Sequence, residues 1–321
     1  MRHLELLKRF DGLRLAVIGD VMLDRFLWGR CDRISPEAPV PIVRLERETV
    51  KLGGAANVAN NIRALGAAVS LFGVVGEDET AGTLKTLLAE RGIDVAGLLP
   101  LAGRPTTLKT RIVAHHQQVV RTDVESDEKL PDAELDRLIA QLRAAGPYDG
   151  LVLSDYGKGV LAPQSLPRVI AWGRAAGTVV TVDPKNGDFS QYHGVTSLTP
   201  NQKEAGLACS TVIGDPETLD RVGRLLTERT GAEAVLVTRG EHGMALYERD
   251  GTVHHLPTEA TEVYDVTGAG DTVIAAYTIA LAAGATFLEA ANLANHAAGL
   301  AVRELGTAAI TAAQIAEAMS S

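Results

Sequence analysis

The chain has 321 residues, 46% hydrophobic and 22% charged, which is enough apolar sequence for a sizeable core and no stretch that reads as disordered. Its formal net charge of −9 argues against a general affinity for nucleic acid or acidic membrane surface, so an anionic ligand would need local cations or aligned N–H groups. Cys31 and Cys209 suggest neither a disulfide framework nor zinc, the N-terminus interrupts its apolar residues with charge, and no apolar run approaches the roughly 18 residues of a membrane span, so a cytoplasmic protein is expected.

Along the chain, short β-rich runs alternate with amphipathic helices. LRLAVIGD (13–20) predicts a buried strand. Residues 25–49 hold three prolines and extended alternation with no helical period, which predicts strands outside the main sheet. KLGGAANVANNIRALG (51–66) predicts a helix behind paired glycines, and AAVSLFGVVG (67–76) a strand followed by helix over 77–92. TTLKTRIVAHHQQVVRT (106–122) alternates again and joins the outlying β segment, with His115 and His116 on its surface. YDGLVLSDYG (148–157) leads into helix over 163–176, then come strands at 177–184 and 233–240 and a hairpin over 243–257 turning at Asp250-Gly251. From 268 onward the alanine-rich sequence predicts helices, the first of them buried. The expected fold is α/β, three-layered, with a mostly parallel central sheet covered on both faces. A small β lid, about 25–49 and 106–122, belongs to the same single domain, since no linker or repeat divides residues 1–321.

Two glycine-rich helix starts stand out. In TGAGD (267–271) the small residues Gly268, Ala269 and Gly270 expose backbone where a helix begins, and Asp271 follows in its first turn. Unpaired N–H groups and the helix dipole suit such a place to an anion. A carboxylate beside an anion is costly unless it takes a proton from an attacking hydroxyl. An ordinary helix start with a first-turn Asp explains the same stretch equally well. In the second, Gly53 and Gly54 precede a helix bearing Asn57, suited to a polyhydroxylated ligand, though close helix–strand packing competes. GDVMLDRF ends the first strand with Gly19 and Asp20 and places Asp24 four residues on, at the carboxyl end where open α/β sheets bind ligands and a carboxylate can accept two sugar hydroxyls. No phosphate-loop, dinucleotide, nucleophile-elbow or zinc-protease motif is present in the sequence.

Taken together the pieces resemble the ribokinase-like carbohydrate kinases, the PfkB family, over nearly the whole chain. GGAANVANNIRALG resembles the family's N-terminal signature, and DVTGAGD (265–271) its C-terminal D-T-x-G-A-G-D, with Val266 where Thr is usual. NQKE (201–204) matches N-x-x-E, and TRGEHG (238–243) matches T-x-G-x-x-G. ISPEAPVPIV (34–43), SDYGKGVL (154–161) and VDPKNGDFSQY (182–192) are similar to the heptose-7-phosphate kinases of lipopolysaccharide core assembly. Many of those kinases continue into an adenylyltransferase. This chain ends at 321, which gives the expectation of a stand-alone form that phosphorylates D-glycero-β-D-manno-heptose 7-phosphate at the C1 oxygen.

The resemblance implies ATP and Mg²⁺, leaves a monovalent cation open, and implies a homodimer formed through the lid. It makes Asp271 the base for the C1 hydroxyl and Gly268, Ala269 and Gly270 the anion hole. Asn201 and Glu204 would help hold Mg²⁺ and the triphosphate, largely through water; Thr238, Gly240 and Gly243 would line the nucleotide pocket, with Asn295 near the adenine. Asp24, Gly53, Gly54 and Asn57 would bind sugar hydroxyls. The 7-phosphate needs cations, for which Lys109, Arg111, Arg121, Lys158 and Lys185 are candidates; each lid cation alone is more often a solvated surface charge. Competing readings are the same chemistry on ribose, fructose phosphate or a 2-keto acid sugar, and a non-catalytic sugar-phosphate sensor.

Overall fold

The computed structural model describes residues 2–320 apart from 116, 186, 261 and 305; His116, expected on the lid surface, lies outside the described residues. In chain order the elements are α1 (Arg2–Arg9), β1 (Arg14–Gly19), β2 (Val21–Ile34), β3 (Pro41–Gly54), α2 (Ala55–Ala64), β4 (Ala68–Val75), α3 (Glu79–Glu90) and β5 (Asp94–Pro100). Next come β6 (Thr107–Ala114), β7 (Gln117–Val124), α4 (Asp132–Ala145), β8 (Gly150–Ser154), α5 (Leu166–Ala175), β9 (Val179–Asp183), β10 (Ser197–Leu198) and α6 (Gln202–Ala208). The chain closes with α7 (Pro216–Thr230), β11 (Ala234–Thr238), β12 (Met244–Glu248), β13 (Val253–Leu256), α8 (Ala269–Ala282), α9 (Phe287–Ala301) and α10 (Ala312–Ala318).

Nine strands form one sheet in the order β13-β12-β11-β10-β9-β8-β1-β4-β5. All its pairings are parallel except those of the β11–β12–β13 hairpin edge. From Leu15 onward β1 is buried on both faces, so those residues are apolar without interruption and sort by pleat. Leu15 and Val17 join a core with α2, α8 and α9, while Ala16 and Ile18 join a second core with α4, α5 and α7. Helix α8 runs through the first of these cores, with every residue from Asp271 to Leu281 buried, which is why it shows no polar stripe.

The outlying β segments form a four-stranded sheet, β3-β2-β6-β7. Its strands are longer than the sequence pattern indicates. β2 begins at Val21 and β3 runs to Gly54, so a single residue, Asp20, separates the main sheet from the lid. At the lid's root Leu23 and Leu52 are buried in the core. Alternation puts Asp24, Lys51 and Lys109 on the opposite face, with Asp24 paired in register to Lys51 and Lys109. Strand order reverses at β1, which lies between β8 and β4, and the crevice beyond the carboxyl ends of β1 and β8 is where the lid departs.

Candidate active site

At the start of α8 the chain turns through Gly268, whose φ of 79° is left-handed. A Cβ there would lie 2.8 Å from Asn57 Nδ2 and 2.9 Å from Thr307 Cγ2, so both conformation and crowding require glycine. Helix geometry leaves the first-turn N–H groups without intrahelical acceptors. Of the three expected anion-hole residues, Ala269 has its amide turned onto Val266 O at 3.2 Å, and Gly270 is exposed with open space where a side chain would stand.

The first turn of α8 borders a cleft with Ala269 and Gly270 and buries Asp271. That cleft has a volume of about 390 Å³, and its lining includes Thr238, Gly240, Gly243, Ala269, Gly270 and Asn295. The sequence-predicted nucleotide residues and the small-residue loop thus share one cavity. Asn295 is buried and donates from Nδ2 to Pro257 O at 2.6 Å, tying α9 to the cleft's far wall. Gly243 has φ 76°, and a Cβ on it would collide with Leu256 O. The cleft's apolar walls, Val263, Val266 and Val302 among them, had no sequence signal beyond scattered valines. Val266, the departure from the family pattern, is 69% exposed on that wall.

Asp271 is only 4% exposed. Asn57 Nδ2 donates to its Oδ2 at 2.7 Å, and the Tyr156 hydroxyl donates to its Oδ1. Burial pushes the Asp271 carboxyl up to about 6; the two hydrogen bonds oppose that shift and the charge of Asp24 adds to it. Asp24 is itself buried and ion-paired to Arg111 on the lid. Gly53 and Gly54 end β3 opposite Met22 and Val21, directly before α2 delivers Asn57.

Asn201 caps α6 by accepting from Glu204 N at 2.9 Å, while Glu204 Oε2 accepts from Asn201 N at 3.0 Å. Asn201 also bridges to Thr238, which places this capping box beside that cleft. The other Glu204 oxygen faces Lys185 Nζ at 3.5 Å. Burial, then the charges of Asp271 and Glu204, holds the Asp183 carboxyl well above its usual range. Among the described residues no three His, Cys, Asp or Glu gather as a metal cluster. Asp183 and Glu204 are instead a sparse pair of hard oxygen donors, which fits Mg²⁺ that keeps most of its waters.

Apart from Arg111, which pairs with Asp24, the expected phosphate cations divide into two groups. Lys109 Nζ lies 2.9 Å from both Asp123 Oδ2 and Glu125 Oε2, and Lys158 Nζ lies 2.7 Å from Glu125 Oε1. Arg121 joins through Asp123 at 2.9 Å. Lys185 does not join them, since its partner is Glu204.

Three contributors were missed by the sequence reading. Asp20 accepts backbone N–H bonds from Tyr156 at 2.8 Å, Lys158 at 3.0 Å and Val160 at 3.2 Å. Tyr156 meets Asp271, and Asp183 closes the acidic floor. Glycines 157 and 159 marked a loop, but nothing local showed that a strand-end carboxylate would hold it.

Residues 13–313 match the pfkB family carbohydrate kinase model. This chain belongs to that family. It is a carbohydrate kinase, and the family implies ATP as phosphoryl donor. Bifunctional protein HldE of Geobacter sulfurreducens is 49% identical over 305 residues, covering 94% of this chain and 62% of the relative. The HldE protein of Paramagnetospirillum magneticum is 46% identical, covering 95% and 62%. The chain therefore spans less than two thirds of the curated relatives it matches. Among solved structures, phosphofructokinase-2 from Escherichia coli superposes with a TM-score of 0.80 at 20% identity, covering 96% of this chain and 99% of that one. Ribokinase from Arabidopsis thaliana, complexed with ribose and ATP, gives 0.77 at 18%, covering 96% and 99%. These likenesses establish the ribokinase-like fold, and no helix among the described residues is long and apolar enough to cross a membrane.

Proposed function

We propose that this carbohydrate kinase transfers the γ-phosphoryl of ATP to the C1 hydroxyl of D-glycero-β-D-manno-heptose 7-phosphate, giving the 1,7-bisphosphate for ADP-heptose and lipopolysaccharide core synthesis. The observation that carries the substrate class is the meeting of Lys109, from a lid strand, and Lys158, from the loop after β8, on the single carboxylate Glu125. Two largely shielded ammonium groups on the Asp24 side of the lid suit a phosphate at the end of the sugar remote from Asp271. The heptose itself rests on the motif resemblance and on the HldE relatives.

In this reading the nucleotide lies in the cleft at Thr238, Gly240, Gly243 and Asn295, and the sugar lies on the Asp271 side, held by Asp24, Asn57 and the backbone at Gly53 and Gly54. The two meet at the first turn of α8. The C1 oxygen attacks the γ-phosphorus, the new O–P bond forms as the bridging P–O bond to ADP breaks, and the hydroxyl proton passes to Asp271. A carboxyl pushed up to about 6 accepts that proton near neutral pH more readily than an ordinary one. Amides at Gly268 and Gly270 would face the charge on the transferring group, while that of Ala269 is already spent on Val266 O. Mg²⁺, held by Glu204 and Asp183 through water, would neutralise phosphate charge; Lys185 beside them suits the triphosphate better than the sugar phosphate. The lid would exclude water, and its edge strands β3 and β7, with Leu45, Val119 and Val120 exposed, suit pairing with a second copy.

The test is ADP release across a panel of heptose 7-phosphate, fructose 6-phosphate, ribose and a 2-keto acid sugar. Heptose 7-phosphate should lead in kcat/KM by about 100-fold or more, the scale of two charge-assisted contacts. Preference for an unphosphorylated sugar would overturn the assignment.

A further inference from the structure

Tyr156 is placed with unusual redundancy for a loop residue. Its own N–H and those of Lys158 and Val160 all end on Asp20, and Gly157 N donates to Asp155 Oδ1 at 2.8 Å. From the lid side Arg104 donates to the carbonyls of Ser126, Glu128 and Lys158. The backbone of this loop is therefore fixed from below by a buried acid and from the flank by a guanidinium, and what it presents is a phenol on Asp271 Oδ1. The groups facing Asp271 come from four places: Asn57 on α2, Tyr156 on this loop, Asp24 on β2 and Asp183 at the end of β9. Of the two acids Asp24 opposes its charge, and among the described residues only Asn57 and Tyr156 donate to it.

We propose that Tyr156 is the positioning residue of the phosphoryl-transfer site, its hydroxyl fixing the orientation of the Asp271 carboxylate and stabilising its negative charge so that the other lone pairs meet the sugar hydroxyl. The phenol is suited to lasting donation: burial first, then the neighbouring acids, drives its own ionisation well above the ordinary range. Without it, Asp271 would keep one donor against burial and the charge of Asp24.

The inference rests on Asp271 being the base, and the experiment separates the two. The pH profile of kcat/KM is measured for wild type, Tyr156→Phe and a protein carrying 3-fluorotyrosine at 156. In Tyr156→Phe the acid limb should move up by about one unit, so that kcat/KM falls about fivefold near pH 6, about tenfold near pH 5 and less than about threefold near pH 9, with KM for ATP unchanged. Fluorotyrosine, a more acidic and stronger donor that preserves the packing, should move the limb down. An equal loss at every pH, or an acid limb unmoved by fluorotyrosine, overturns the role; the latter decides alone if the Phe variant does not fold. Near-normal turnover of Asp271→Asn would remove the base itself. An inactive Asp271→Asn with unmoved limbs removes only Tyr156.

Discussion

Asp20 and Asp271 are both almost fully buried, and burial pushes both carboxyl groups up to about 6. Their surroundings differ in one respect. Asp20, after β1, gives its oxygens to three backbone amides of a single loop. Asp271, at the start of α8, has one oxygen on each of two side chains, Asn57 and Tyr156, which come from different elements. An acid tied to the main chain shapes a loop, whereas an acid held by rotatable groups keeps capacity for a further partner. The same chemistry thus ties down a loop in one place and leaves a carboxyl held only by side chains in the other.

Substitution can break that contrast. Asp271→Asn should lower turnover by about 10²–10⁴-fold while ATP binding by calorimetry and the folded state persist, the usual scale for a lost general base. Asp20→Ala should instead act on the fold: three buried amides lose their acceptor, and urea unfolding should report a loss of about 3 kcal/mol or more. Equal effects of the two variants on stability would erase the distinction.

The smallest effect sharpens it. A carboxyl whose folded value, about 6, exceeds its ordinary value of 3.8 makes the folded state bind its proton more tightly. The associated stability is full below about pH 4 and is lost as pH rises through about 6. Wild-type melting temperature should therefore carry a declining component across that window. Asp271→Asn should remove its share and melt a few degrees above wild type near pH 8, by the size scaling of melting temperatures. A variant that melts lower at pH 8 would show that ionised Asp271 stabilises the fold.

Much of this site is visible in the sequence because it is built from helix starts. Gly268 to Asp271 and Gly53 to Asn57 are contiguous stretches whose backbone geometry follows from local residue types, and the parallel sheet follows from unbroken apolar strands such as β1. The remainder depends on distant chain segments meeting. The pairing of Lys109 with Lys158 through Glu125 requires the lid to fold against the loop after β8, and Asp20 gives no local sign that it will cap residues 156–160. Lid ends were misjudged because β3 passes straight from exposed alternation into the glycines that start α2.

Asn57 and Asp271 are 214 residues apart in sequence, yet the bare α-carbon of Gly268 lies against the amide that joins them. A methyl group at 268 would push that amide away, so a change in the turn at Gly268 would first disturb the hydrogen bond that Asn57 gives to Asp271. The two signatures are mechanically interlocked, and neither can drift in evolution without the other registering the strain.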